Sequence, residues 1–90
     1  MTRPKVLFVD DEEHLRIAAS QSFELADMDV ECVADAEAAL DRLSETFEGV
    51  LVTDIRMPGM DGIALLEKVK ALDPDLPVIM LTATSGIDTI

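Results

Sequence analysis

The stretch Val50-Leu51-Val52-Thr53-Asp54-Ile55-Arg56-Met57-Pro58-Gly59-Met60-Asp61-Gly62 decides the fold. Four apolar or β-branched residues follow Gly49 and run straight into an aspartate. A Pro-Gly turn and an Asp-Gly pair come next. A continuous apolar run of this length reads as a strand buried on both faces, as in a parallel sheet covered by helices. Asp54 then stands at the carboxyl end of that strand. In an open α/β sheet the ligand crevice lies outside those ends. A carboxylate there is a candidate nucleophile or metal ligand. The plainer reading is an aspartate that only caps a turn.

Working outward, two more apolar runs frame this one. Lys5-Val6-Leu7-Phe8-Val9 ends in Asp10-Asp11-Glu12-Glu13, and Val78-Ile79-Met80-Leu81-Thr82 ends in Ala83. Both read as buried interior strands. A fourth strand over 29–34 alternates Val30, Cys32 and Ala34 against Asp29, Glu31 and Val33. That pattern marks a half-exposed edge. Helices fill the gaps. After the first strand Asp11 is expected to cap a helix, with Leu15, Ala18, Ala19, Ser22, Phe23 and Ala26 on its inner face. Asp35 caps a helix over 36–44 with Ala36, Ala39, Leu40 and Leu43 inward. Asp61 caps a third helix with Leu65, Leu66, Val69 and Leu72 inward, stopped by Asp73-Pro74. Residues 87–90 look like the first turn of another helix. His14 is expected on the exposed side of the first helix.

The resulting β-α-β-α-β-α-β order predicts an α/β fold, a doubly wound parallel sheet of flavodoxin-like type with strand order 2-1-3-4. At the point where that order reverses, Asp10 and Asp11 should meet Asp54. Three carboxylates at about 5 Å repel by roughly 3 kcal/mol per pair at an effective dielectric near 20. A cation or a retained proton must relieve them. Oxygen ligands with open positions suit Mg²⁺. An acidic helix cap and an unrelated turn aspartate is the competing reading. Thr82 would end the strand beside Asp54 and could turn its hydroxyl toward it, with the small Ala83 leaving room.

Composition sets limits. The chain has 90 residues, so one domain spanning 1–90 is expected. Nineteen acids against seven Lys and Arg give a net charge of −12, which repels nucleic acid. Aromatics are 3%, with neither Trp nor Tyr, which argues against a base-stacking platform. No apolar run reaches membrane-spanning length, and the start does not read as a signal peptide. The single cysteine, Cys32, allows no internal disulfide and suits a reducing, cytoplasmic setting. It is expected to be a packed residue rather than a reactive one.

Three segments together carry a family resemblance: Val9-Asp10-Asp11-Glu12, then Asp54-Ile55-Arg56-Met57-Pro58-Gly59-Met60-Asp61-Gly62, then Leu81-Thr82-Ala83. With this order and spacing the chain resembles the receiver domain of bacterial two-component response regulators. The wording is most like receivers of ATPase-type transcription activators such as dicarboxylate-transport regulators. The resemblance implies a phosphoprotein of phosphorelay signal transduction. Asp54 would be the phosphoacceptor, served by a sensor histidine kinase. Mg²⁺ would be held by Asp11, Asp54 and the Arg56 backbone carbonyl, with Asp10 close by. Thr82 and Ala83 would form the switch, and a C-terminal output domain would act in transcription regulation. An enzyme in its own right is not implied.

Two departures are visible. Asp27 stands where receivers usually have a glycine that ends the first helix. No residue matches the receiver lysine, since Lys68 and Lys70 fall on a helix outer face, and the usual fifth strand and last helix are lacking. The chain is therefore expected to be a truncated receiver whose fourth strand exposes an apolar edge and supports a dimer. The alternatives are a receiver-like interaction module that is not phosphorylated, or an aspartyl-phosphate phosphatase of the haloacid dehalogenase type. The latter wants a second aspartate at the position of Arg56.

Overall fold

In the computed structural model, residues 5–43, 47–55 and 59–81 are described. Ser44, Arg56, Thr82, Ala83 and the helical turn expected at 87–90 lie outside them. Four strands alternate with three helices: β1 (Lys5–Val9), α1 (Glu13–Leu25), β2 (Asp29–Val33), α2 (Ala36–Leu43), β3 (Val50–Asp54), α3 (Gly62–Leu72) and β4 (Val78–Leu81). All three strand pairings are parallel and the order is β2-β1-β3-β4. This is the flavodoxin-like arrangement the apolar runs called for.

β1 and β3 are buried along four of their five residues each, as continuous apolar runs require. One sheet face carries Leu7, Val9 and Leu51 against Ala36, Ala39, Leu65 and Val69 of α2 and α3. The other carries Val6, Phe8 and Val52 against Ala19 and Phe23 of α1. The period of two along the strands thus supplies a separate core to each face. β2 is an edge, as its alternation indicates. Its Glu31 is tied to Arg42 of α2: Nη2 donates to Oε1 at 2.9 Å, and Nε lies 2.6 Å from Oε2 as an ion pair rather than an aligned hydrogen bond.

Two caps follow expectation. Asp35 Oδ1 accepts from the Ala38 amide and Asp61 Oδ1 from the Ala64 amide. The cap of α1 does not. Glu12, not Asp11, occupies the cap position, and its side chain makes no capping bond. The Asp10 carboxylate instead accepts from the Glu12 amide at 2.9 Å. The inner face of α1 is also narrower than its sequence suggests. Leu15, Ala18, Ser22 and Ala26 are exposed, because α1 rests mainly on the edge strand β2 and only Ala19 and Phe23 reach the core. Leu72 is exposed as well. It ends α3, and Leu76 from the following turn fills the core instead. β4 has the apolar pattern of an interior strand but stands at the edge among the described residues, as the order 2-1-3-4 without a fifth strand implied. Val78 and Met80 are half-buried while Ile79 and Leu81 are exposed on the opposite face.

The end of α1 bears out the departure at Asp27, which has φ +63°. The Met28 amide donates to Phe23 O and the Asp27 amide to Glu24 O. Those two bonds define a Schellman cap, normally completed by glycine. Met28 and Phe23 both pack against the core of Val6, Phe8 and Val52 beneath it.

Candidate functional site

The reversal of strand order falls between β1 and β3, so their carboxyl ends face one crevice. Asp10, Asp11 and Asp54 meet there, each with a carboxylate oxygen within 4.8 Å of the others. Asp10 and Asp54 are buried and Asp11 is exposed. Asp10 has its carboxyl pushed above its ordinary value, first by burial and then by the neighbouring charges of Asp54, Asp11 and Glu12. The bond from the Glu12 amide works against this.

Backbone contacts fix the cluster. The Asp10 amide donates to Val33 O at 3.2 Å and so extends the β1–β2 ladder by one residue. The Asp10 carbonyl accepts from Arg16 Nη1 of α1 at 2.9 Å. On β3, Thr53 Oγ1 donates to Asp54 O, and the Ile55 amide donates to Leu81 O at 3.2 Å. The strand register places Asp54 beside Leu81, at the end of β4.

Gly62 shapes the same corner. Its amide donates to Ile55 O at 2.8 Å. A Cβ at this position would run into the Asp54 carbonyl oxygen and the Ile55 Cα. Only glycine lets the first turn of α3 close on the end of β3.

Of the residues singled out from the sequence, Asp10, Asp11 and Asp54 come together, whereas Arg56, Thr82 and Ala83 lie outside the described residues. His14 is exposed beside Glu12, as expected. Cys32 is half-buried, with its thiol directed at Arg16 O at 3.5 Å. Burial first of all pushes that thiol up, in keeping with a packed and unreactive residue. Sequence reasoning missed Arg16 and Gly62. The signal for Arg16 was weak: a basic residue one turn into a helix that begins with acids.

No described helix is long and apolar enough to cross a membrane. The profile of the response regulator receiver domain family matches residues 6–90. The chain is 50% identical over 84 residues to the C4-dicarboxylate transport transcriptional regulatory protein DctD of Rhizobium meliloti (strain 1021), covering 93% of this chain and 18% of that protein. It is 39% identical over 88 residues to the DNA-binding transcriptional regulator NtrC of Escherichia coli (strain K12), covering 98% of this chain and 19% of that protein. It thus spans under a fifth of either relative. Among solved structures, the chemotaxis response regulator CheY4 of Vibrio cholerae matches with a TM-score of 0.86 at 31% identity, over 94% of this chain and 72% of that one. Full-length FixJ from B. japonicum matches with a TM-score of 0.82 at 34% identity, over 91% of this chain and 40% of that one. The crevice, the sheet order and these likenesses agree that the chain belongs to the response regulator receiver domain family.

Proposed function

We propose that Asp54 is the acceptor of a phosphoryl group delivered by a sensor histidine kinase, and that its phosphorylated form controls an output domain in transcription regulation. The observation that carries this reading is the buried Asp54 at the end of β3, with carboxylate oxygens of Asp10 and Asp11 within 4.8 Å. One carboxylate oxygen of Asp54 attacks the phosphorus. A P–O bond forms, the P–N bond to the donor histidine breaks, and its electron pair returns to the imidazole nitrogen. The product is an acyl phosphate, which water cleaves back to carboxylate and phosphate. Such a bond suits a reversible signal rather than a turnover reaction.

The donor set fits Mg²⁺: three carboxylates, one of them buried with a raised pKa, form an all-oxygen cluster with an open side. Asp10, Asp11, Asp54 and the backbone carbonyl of Arg56 are the groups that would hold it. When bound, the cation supplies positive charge to the phosphoryl oxygens. The chain itself contributes position. Asp10 is held by its own main chain and by Arg16, and Asp54 by the β3 ladder. Thr82 and Ala83, following directly on Leu81, would form the switch that senses the added group.

A second reading has one observation in its favour. Of the described lysines, Lys5 opens β1 at the far end of the sheet, Lys68 is exposed on α3, and Lys70 donates to Pro74 O and Leu76 O before β4. None is placed to pair with a phosphoryl group on Asp54. The chain would then be an interaction module that keeps the fold without accepting phosphate. One experiment separates the two. The protein and Asp54→Asn are treated with acetyl phosphate and Mg²⁺, and intact mass is recorded. One added phosphoryl on the wild type and none on the variant supports the acceptor reading. No addition on either favours the interaction module, and addition on both moves the acceptor elsewhere.

A further inference from the structure

We propose that Arg16 is a positioning residue of the acidic cleft: its guanidinium on the Asp10 carbonyl holds the β1–α1 junction so that Asp10 and Asp11 converge on Asp54. The inference rests on the reading of that cleft as a divalent-cation and phosphoryl site.

Asp10 is gripped at three points. Its amide donates to Val33 O on β2, its carbonyl accepts from Arg16 Nη1 on α1, and its carboxylate accepts from the Glu12 amide. The first is an extension of the sheet and the third is local to the turn. Of the three, the bond from Arg16 is the one made by a side chain from within the helix. Arg16 is itself anchored. Its amide donates to Glu12 O at 3.1 Å and its carbonyl receives the Cys32 thiol of β2. A continuous path therefore runs from β2 through α1 to the residue that opens the cleft. The guanidinium is half-buried, and its bond is charge-assisted.

The direction of the effect distinguishes position from charge. Arg16 brings a positive charge close to a site meant for a cation. If charge were its contribution, removing it would strengthen cation binding. If it positions Asp10 and Asp11, removing it weakens binding, since groups that orient metal ligands typically carry about 10–100-fold in affinity. Arg16→Met keeps the apolar stem and removes the donors. Arg16→Lys keeps the charge and one point of contact but loses the planar fork.

The test is Mn²⁺ binding to the full chain, followed by the paramagnetic signal of free Mn²⁺, with circular dichroism checking the fold. Arg16→Met is expected to bind roughly tenfold or more weakly than wild type, with Arg16→Lys between them. Arg16→Met binding as tightly as wild type, or more tightly, overturns the proposal. Should Arg16→Met fail to fold, folded Arg16→Lys decides: weaker binding supports the proposal and unchanged affinity overturns it. Asp11→Ala separates this from the parent reading. A wild type that binds no Mn²⁺, or binds it unchanged in Asp11→Ala, overturns both. Binding that depends on Asp11 but not on Arg16 overturns the positioning role alone.

Discussion

Asp10→Asn should make the apo protein more stable at neutral pH. Asparagine keeps an oxygen for the Glu12 amide and removes the charge. What is relieved is the burial of a charged group, together with its repulsion from Asp54 and Asp11. At 4.8 Å, one such pair at an effective dielectric near 20 is worth about 3.5 kcal/mol. Solvent and salt at the open side of the cleft reduce this by roughly half. Loss of the charge-assisted part of the Glu12 bond takes back a further fraction of about 1 kcal/mol. A net gain of about 1 kcal/mol remains. For a domain of this size each kcal/mol moves the melting temperature by about 4–8 °C.

The pH dependence follows from the same shift. A carboxyl whose pKa is higher folded than unfolded binds its proton more tightly in the folded chain. Its contribution to stability is complete below the ordinary value of 3.8 and is lost as pH rises through the raised folded value. The charged Asp10 is therefore a cost at pH 7 that is absent near pH 4. Melting followed by circular dichroism, needed because the chain has neither Trp nor Tyr, should show a rise of about 4–8 °C for Asp10→Asn at pH 7 without divalent cations. The rise should shrink toward zero by about pH 4. A variant that melts at or below wild type at pH 7, or keeps its full advantage at pH 4, would refute the argument.

Other perturbations test the remaining features. Mg²⁺ at ten times its dissociation constant should stabilise the native chain by about 1.4 kcal/mol through mass action, and an equal response in Asp11→Ala would speak against the site. Asp27→Gly should add about 0.5–1 kcal/mol in chemical denaturation by relieving the residue at φ +63°, and no gain would mean that aspartate suits the left-handed cap as well as glycine. Gly62→Ala should cost about 1–3 kcal/mol and perturb NMR shifts at Asp54 and Ile55, because the new methyl meets the Asp54 carbonyl; a silent substitution would contradict the close approach. The 90-residue chain should self-associate through β4, whose Ile79 and Leu81 are exposed, and more so in high salt, which screens the charge of −12. Sedimentation showing a salt-independent monomer would count against this.

Strand identity and order were legible because buried parallel strands advertise themselves: 6–9 and 50–52 are unbroken apolar runs, and 29–33 alternates. The convergence of Asp10, Asp11 and Asp54 followed from that order alone. Less legible was everything set by how elements lean on one another. The apolar period of α1 could not show that the helix sits over an edge strand and leaves Leu15 outside. Nor could it show that Leu76, in a turn, replaces Leu72 in the core. The cap of α1 was misassigned for a similar reason. Asp11 has the right chemistry, but its place next to the cleft is set by Asp10, whose carboxylate serves the Glu12 amide instead. Arg16 was invisible because its partner is a backbone carbonyl, and a sequence carries no record of which carbonyls lack partners.

The same geometry explains how so unfavourable a cluster persists. Repulsion among three carboxylates could be relaxed by a small rotation of the β1–α1 junction, yet Asp10 is fixed through its amide, its carbonyl and its carboxylate. On the other side, Gly62 locks α3 against the end of β3, so Asp54 cannot retreat. The strain is confined to the crevice, while both cores lie below it on either face of the sheet. A site held this way responds to charge rather than to packing. On the proposed reading a cation would relieve it, and a phosphoryl group on Asp54, replacing one carboxylate charge by about two on the phosphate, would load it again. Because Asp54 pairs with Leu81 and the Ile55 amide bonds the Leu81 carbonyl, that load would fall first on the end of β4.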